Sequence, residues 1–286
     1  MKRVLITGAN SYIGTSFEKY VKENGVDFEI NTLDLLDSNW HEYDFSVYDS
    51  IFHVAGIAHF SKDESKKDLY YKVNTELTER VAKVAKQAGV GQFIFMSSII
   101  VYGDSTSGER VITIDTPPSP SDFYGDSKLQ AEKRLEKLKE ETFKVVIIRP
   151  PMIYGKGSKG NYPKLSRLAQ SIPIFPNFSN SRSMLHIDNL CAFIEGVIIA
   201  GERGVFFPQN KEYICTSDLV KRIAAFHGKK IYLVSIFNPF IKLLFHFDTV
   251  KKVFGNLVYE KEMSQYTFEY QVNDFEETIR LTEEST

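Results

Sequence analysis

The stretch Val4-Leu5-Ile6-Thr7-Gly8-Ala9-Asn10-Ser11-Tyr12-Ile13-Gly14 decides the fold. Its apolar run reads as a buried strand, and the glycine-bearing turn opens an amphipathic helix expected over Tyr12 to Asn24. Strand, turn and helix N-terminus in that order build an anion site, because unpaired backbone N–H groups and the helix dipole converge there. Gly8 permits the tight turn, and Gly14 lets the helix lie close against the strand. A lone turn of this kind is weak as a nucleotide signal, so the rest of the chain has to supply the context.

Phe28 to Leu33, Ile51 to Val54, Phe93 to Met96 and Val145 to Ile148 read as further strands. Leu69, Val73, Leu77, Val81, Val84 and Ala88 put one apolar stripe on a long helix stopped by Gly89, and a second helix is expected over Ser127 to Glu141. Near-continuous apolar strands separated by amphipathic helices specify an α/β fold, a doubly wound parallel sheet of Rossmann type with right-handed crossovers. Beyond Pro150-Pro151 the pattern loosens; helices are expected over Asp188 to Ala200 and over Thr216 to Phe226, the latter capped by Thr216 or Ser217. The expected division is a dinucleotide-binding domain over 1–160, with returning elements at about 186–208, and a smaller C-terminal substrate-binding lobe mainly over 161–286.

The 286 residues carry 35 Lys+Arg against 37 Asp+Glu, a net charge of −2, which argues against nucleic acid as a main partner. Cys191 and Cys215 form no paired motif and are expected as free thiols in a reducing cytoplasm. His53, His59 and His186 lack metal-ligand spacing, so no metal is expected. No apolar run reaches the roughly 18 residues of a transmembrane segment, and the apolar part of MKRVLITG is too short for a signal peptide; the expected location is cytoplasmic. Ile231 to Phe247, broken by Ser235, Asn238, Pro239 and Lys242, reads as a buried or oligomer-facing helix in preference to one lying on a membrane. The mixed charges from Lys62 to Asp68 read as a solvated loop or helix entry.

A second constellation gives the turn its context. Tyr124-Gly125-Asp126-Ser127-Lys128 sets a tyrosine and a lysine at i and i+4 on one helix face. An ammonium beside a phenol favours the phenolate, which brings proton exchange nearer to neutral pH. Ser98, at the end of an upstream strand, can offer its hydroxyl to the same substrate oxygen.

With these residues the chain resembles the extended short-chain dehydrogenases/reductases, the NAD-dependent epimerase/dehydratase family, from Lys2 to about Ala200. The turn is similar to that family's T-G-x-x-G-x-x-G, with Ser11 in place of the middle glycine. The resemblance implies that Tyr124 is the proton donor and acceptor, that Lys128 binds the nicotinamide ribose, and that Ser98 holds the sugar oxygen. It also implies cofactor contacts from Gly8, Asn10, Ser11, Tyr12, Ile13 and Gly14, from Val54-Ala55-Gly56, from Asn74 and from Pro151. Substrate contacts are implied for Asn161 at the diphosphate, Phe175 against the uracil ring and Arg182 at the diphosphate, where a guanidinium fork suits phosphate.

Family dehydratases carry an acidic pair directly after the serine. Ile99 and Ile100 stand here and cannot transfer protons, which disfavours a dehydratase and leaves redox chemistry at a sugar carbon. The resemblance is closest to capsular-polysaccharide 4-ketoreductases of UDP-4-keto-6-deoxy-N-acetylhexosamines and to UDP-hexose 4-epimerases. A non-catalytic NAD(P)-binding regulator with the same fold is the alternative. Asp34 lies about 20 residues beyond Gly14, where an acid contacts the ribose and favours NAD over NADP. In a competing reading Asp34-Leu35 is the adenine contact of the next strand, with the intervening unit shortened; NADP therefore stays open. A homodimer through the two long helices is a further implication of the resemblance.

Overall fold

The computed structural model describes residues 1–58 and 63–284; His59 and Lys62 lie outside them. The chain begins β1 (Lys2–Thr7), α1 (Tyr12–Glu23), β2 (Phe28–Leu33) and β3 (Ser50–His53). A continuous helical stretch follows, made of α2 (Lys67–Tyr70), a π-helical segment Tyr71–Leu77 and α3 (Thr78–Gln87). Next come β4 (Gln92–Met96), β5 (Val111–Ile112), α4 (Phe123–Glu136), β6 (Lys144–Ile148), β7 (Met152–Tyr154), α5 (Tyr162–Ser171), β8 (Ile174–Pro176) and β9 (Met184–His186). The chain closes with α6 (Ile187–Ala200), β10 (Gly204–Phe206), α7 (Thr216–Phe226), β11 (Tyr232–Val234), α8 (Asn238–Leu243), α9 (Asp248–Phe254), β12 (Val258–Tyr259) and α10 (Phe275–Glu283).

The described residues form a six-stranded sheet in the order β10-β6-β4-β3-β1-β2, with every neighbouring pair parallel. The chain leaves β1 for β2 on one side and returns to β3 on the other. The carboxyl ends of β1 and β3 therefore flank the crevice where such sheets bind ligands. One face is covered by α1 and α6 through Phe17, Val21, Leu190, Phe193 and Val197; the other buries Trp40, Phe45, Val81, Ala85 and Leu135. Asp34 directly follows β2, the neighbour of β1, and no strand lies outside β2 among the described residues. The abbreviation expected between Gly14 and Ile51 is thus the loss of an outer strand, and residues 34–49 instead send Trp40 and Phe45 under the sheet.

Three expectations shift. The stripe on the long helix is turned aside: Tyr70, Asn74, Thr75, Thr78, Val81, Ala82 and Ala85 are buried, while Leu69 is 47% exposed. A π-helical segment winds more residues per turn than an α-helix, so a pattern read at the α-helical period loses its face. Helix α4 starts at Phe123 and not at Ser127, because the Asp122 carboxylate accepts from Gly125 N at 2.8 Å and caps it. Helix α7 is preceded by Cys215 as its cap residue, since the Thr216 hydroxyl is committed to Val253 O and the Ser217 hydroxyl to Pro176 O.

The C-terminal portion packs around Tyr154, Tyr162, Leu165, Phe175, Leu219 and Ile223. It is interleaved with the first half, since β12 pairs with β5 and Asn256 bridges to Thr106. Residues 231–247 do not form the buried helix expected there. They break into β11, short helical turns and α8, with Ile241 and Phe245 inward and most other apolar residues outward.

Candidate active site

At the glycine turn, Gly8 takes φ +118°, and a Cβ there would sit 2.7 Å from Ala55 N. Backbone of the β1 turn and of the Val54-Ala55-Gly56 segment therefore meet, joined by Val54 N and Ala55 N, both donating to Thr7 O at 3.0 Å. The left-handed conformation falls on Asn10, φ +61°, a residue type that tolerates it. Ser11 has φ −71° and ψ 143°, an ordinary N-cap conformation, and its Oγ accepts from Gly14 N at 3.2 Å. Departure from the middle glycine is thus accommodated: no positive φ is needed at Ser11, and its hydroxyl caps α1. Gly14 is required by contact, as a Cβ would lie 3.0 Å from Ile6 Cγ2. A narrow cradle of backbone N–H groups at a helix N-terminus fits a dinucleotide pyrophosphate. Asp34 is exposed just past Leu33, whose carbonyl accepts from Gly8 N; Leu35 is partly buried against the Trp40 side.

Tyr124, in the first turn of α4, hydrogen-bonds to Ser98 at the end of β4. Burial pushes the phenol up to about 12, the Ser98 bond opposes the rise, and Asp122 and Tyr70 add to it. This corrects the expectation that Lys128 sets the phenol's pKa: burial governs it. Lys128 is 5% exposed, its Nζ donating to Met96 O at 2.8 Å and lying 4.7 Å from the Phe95 ring. Desolvation lowers the ammonium to about 8, with Glu132 opposing. A Cβ on Gly56 would come within 3.1 Å of Lys128 Nζ and 3.0 Å of Asn74 Oδ1, so these three positions converge.

Asn74 is fully buried and clamps the loop after β3: Oδ1 accepts from Ile57 N at 2.9 Å, while Nδ2 donates to Ile57 O and Ser127 Oγ, both at 3.0 Å. It thereby fastens Gly56 to α4. Beneath it His53 joins Thr7 Oγ1 at 2.8 Å to Thr78 Oγ1 at 2.9 Å. Burial first, then the charge of Lys128, push that imidazole down to about 3, so it is neutral at pH 7. Among the described residues no cluster suited to a metal ion occurs.

Sequence reasoning missed a buried network that holds the strand ends. Glu132, one turn after Lys128, takes Arg149 in a two-pronged pair at 2.6 and 3.1 Å and also accepts from Ser97 Oγ. Arg149 Nη1 donates to Tyr102 OH at 2.6 Å, and Tyr259 OH donates to Arg149 O at 2.8 Å. Ser98 and Pro151 follow the two ends of this bridge; Ile99 N donates to Pro150 O between them. The signals available were Arg149 directly before Pro150-Pro151 and Glu132 four residues beyond Lys128.

The residues expected at the sugar nucleotide are less uniform. Asn161 precedes α5, which has a proline in its first turn, and its side chain makes no capping bond. Arg182 Nη1 donates to Gly255 O at 3.1 Å, while its Nε is buried with no hydrogen-bond partner. Desolvation lowers the guanidinium to about 10. A buried cation held by carbonyls is short of negative charge, which suits a diphosphate. Phe175 is a correction: at 3% exposed it faces the lobe's interior, 5.8 Å from the Phe254 ring, and offers no face for a base to stack on.

The family model described as "NAD dependent epimerase/dehydratase family" matches residues 4–205. The chain is 31% identical to the UDP-glucose 4-epimerase of Vibrio cholerae, covering 90% of this chain and 86% of that one. It is 28% identical to the N-acetyl-alpha-D-glucosaminyl-diphospho-ditrans,octacis-undecaprenol 4-epimerase of Escherichia coli O157:H7, covering 88% and 81%. Among solved structures, dTDP-4-dehydrorhamnose reductase from Bacillus anthracis in complex with NADP superposes with a TM-score of 0.76 at 20% identity, over 100% of this chain and 99% of that one.

Proposed function

Because the chain belongs to the NAD-dependent epimerase/dehydratase family, we propose that its reaction is hydride transfer at C-4 of a UDP-linked sugar, in the supply of surface-polysaccharide precursors. It is a nucleotide-sugar epimerase or reductase of the extended short-chain type, and its cofactor is NAD or NADP. The bonded pair Ser98–Tyr124 above the buried Lys128 carries the reading. Nicotinamide supplies the hydride chemistry when bound. The chain's own part is to hold the proton: Ser98 Oγ orients the C-4 oxygen and the Tyr124 phenol exchanges a proton with it. Lys128 carries its charge at pH 7 and, converging with Gly56 and Asn74, takes the nicotinamide ribose. Gly8, Asn10, Ser11, Tyr12, Ile13 and Gly14 cradle the pyrophosphate, Asp34 meets the adenosine ribose, and Arg182 with Asn161 takes the UDP diphosphate.

A phenol pushed up to about 12 is protonated at neutral pH and stands ready to give a proton to an oxygen gaining negative charge. That proton serves the reductive half-reaction, which a 4-ketoreductase and a 4-epimerase share. With Ile99 and Ile100 after Ser98, the acid and base of a dehydratase have no side chain to supply them. Incubation with reduced cofactor and a UDP-4-keto-6-deoxy-N-acetylhexosamine is expected to consume cofactor mole for mole, and Tyr124→Phe to abolish this while cofactor still binds. Interconversion of UDP-hexoses without net cofactor loss would assign the epimerase instead. Full activity in Tyr124→Phe would refute the site, and no redox change with any UDP-sugar would point to the non-catalytic regulator. A homodimer through α3 and α4 belongs to the same reading, with light scattering as its test.

A further inference from the structure

The segment 232–247 turns apolar side chains to both sides. Ile241 and Phe245 point inward, the latter 6.0 Å from the ring of Phe178. Outward stand Ile236, 73% exposed, Phe240, 63%, Leu243, 73%, and Phe247, 53%. Phe240 and Leu243, three residues apart, share one face of α8, and Ile236 and Phe247 stand exposed just before and just after it. Tyr232 and its cross-strand neighbour Ile174 extend the exposed apolar row along β11 and β8. Soluble surfaces scatter such residues singly; a contiguous row marks a surface that meets something apolar.

Charge selects the occupant. Between Gly228 and Val258 the sequence holds five lysines, Lys229, Lys230, Lys242, Lys251 and Lys252, against one acid, Asp248. Lys242 lies within the apolar row, exposed, between Ile241 and Leu243, and Lys230 Nζ stands 5.0 Å over the exposed Tyr232 ring. Long lysine stems lie along apolar surface with the ammonium at its rim, which suits a boundary of acyl chains and anionic headgroups. A second copy of the chain would bring the same lysines face to face, where like charges repel. We propose that residues 232–247 dock the protein on an anionic phospholipid bilayer, with Phe240, Leu243 and Phe247 entering the headgroup–acyl boundary. The segment is built as a surface anchor and not a span, since no described helix is long and apolar enough to cross a membrane. It is also tied to the rest of the lobe, with Asn238 Nδ2 donating to Asn177 O at 3.0 Å.

The test is sedimentation of the full chain with phosphatidylethanolamine–phosphatidylglycerol vesicles and with pure phosphatidylcholine vesicles, alongside light scattering and circular dichroism melting. Binding is expected to the anionic vesicles and to weaken at high salt. The double substitution Phe240→Glu/Leu243→Glu is expected to lower it by about tenfold or more while leaving the mass by light scattering and the melting curve unchanged. No binding, equal binding to both vesicle types, or undiminished binding by the double variant overturns the proposal. So does a dimer that the same substitutions dissociate, which would give the surface to a second copy. None of these readouts depends on the reaction assigned above.

Discussion

Lys128→Met in the purified protein without cofactor is expected to raise stability at pH 7 and to lose that advantage in alkali. Burial takes the Lys128 ammonium from 10.5 to about 8. At about 1.4 kcal/mol per unit, carrying the charge costs the folded state about 3 kcal/mol relative to the unfolded chain. Below pH 8 both states hold the proton and the cost is full. Between pH 8 and 10.5 the unfolded chain keeps a proton that the folded chain gives up, so wild-type stability rises with pH through that window. Methionine removes the whole dependence and fills a similar volume. Against this, the 2.8 Å bond to Met96 O is lost, and an unpaired buried carbonyl costs about 1–3 kcal/mol. The variant should therefore be more stable by up to about 2 kcal/mol at pH 7, and its advantage should shrink by about 2 kcal/mol by pH 9.5. Urea unfolding of both proteins across this range reads the difference, in which groups common to both cancel. A difference that stays flat from pH 7 to 9.5 would refute the claim that the folded protein harbours a desolvated ammonium.

Three further outcomes follow from the geometry. Gly8→Ala forces φ +118° on a residue whose Cβ meets Ala55 N at 2.7 Å, and dinucleotide affinity by fluorescence titration should fall by about tenfold or more. Ser11→Gly should leave that affinity within about twofold and cost only a few tenths of a kcal/mol in urea unfolding, because Ser11 already adopts an ordinary cap conformation. Glu132→Gln leaves the Arg149 guanidinium buried without its carboxylate and should cost about 3–5 kcal/mol. Its melting temperature should drop by roughly 6 °C or more. Replacing both partners, as Glu132→Leu/Arg149→Met, should recover most of that loss; no recovery would mean that the pair is not the source of the cost.

The central strands β1, β3, β4 and β6 were legible in the sequence because they are buried and read as apolar runs with no competing period, whereas β10, a short half-buried edge strand, was not. Tyr124 and Lys128 were legible as a pair because residues four apart share a helix face, and Ser98 because it follows an apolar run that reads as a strand. What escaped did so for physical reasons. Asn74, Thr75 and Thr78 are polar and buried, so a hydrophobic stripe could not register the face they occupy. The start of α4 hid because its cap, Asp122, follows a proline-rich run that reads as loop. The Glu132–Arg149–Tyr102 network joins residues from three separated segments and has no local signature. Phe175 was expected to face outward to a base, but on the short strand β8 it is the inward one of two neighbours. Ile174, 47% exposed, took the outer position.

The π-helical segment Tyr71–Leu77 sets a rule for how this chain can change length. Deleting one residue there would restore an even α-helix with its two ends still in phase, because six residues at about 100° turn as far as seven at the wider π-helical pitch. Asn74 and Thr75, which bond to Ile57 and to Ser127, would leave those partners together, and the loop bearing Gly56 would be released. Loss of one residue would thus pass unnoticed at the two ends of the helix and be felt at the widened turn between them. The segment is therefore a place where the number of residues, and not their identity alone, holds the site together.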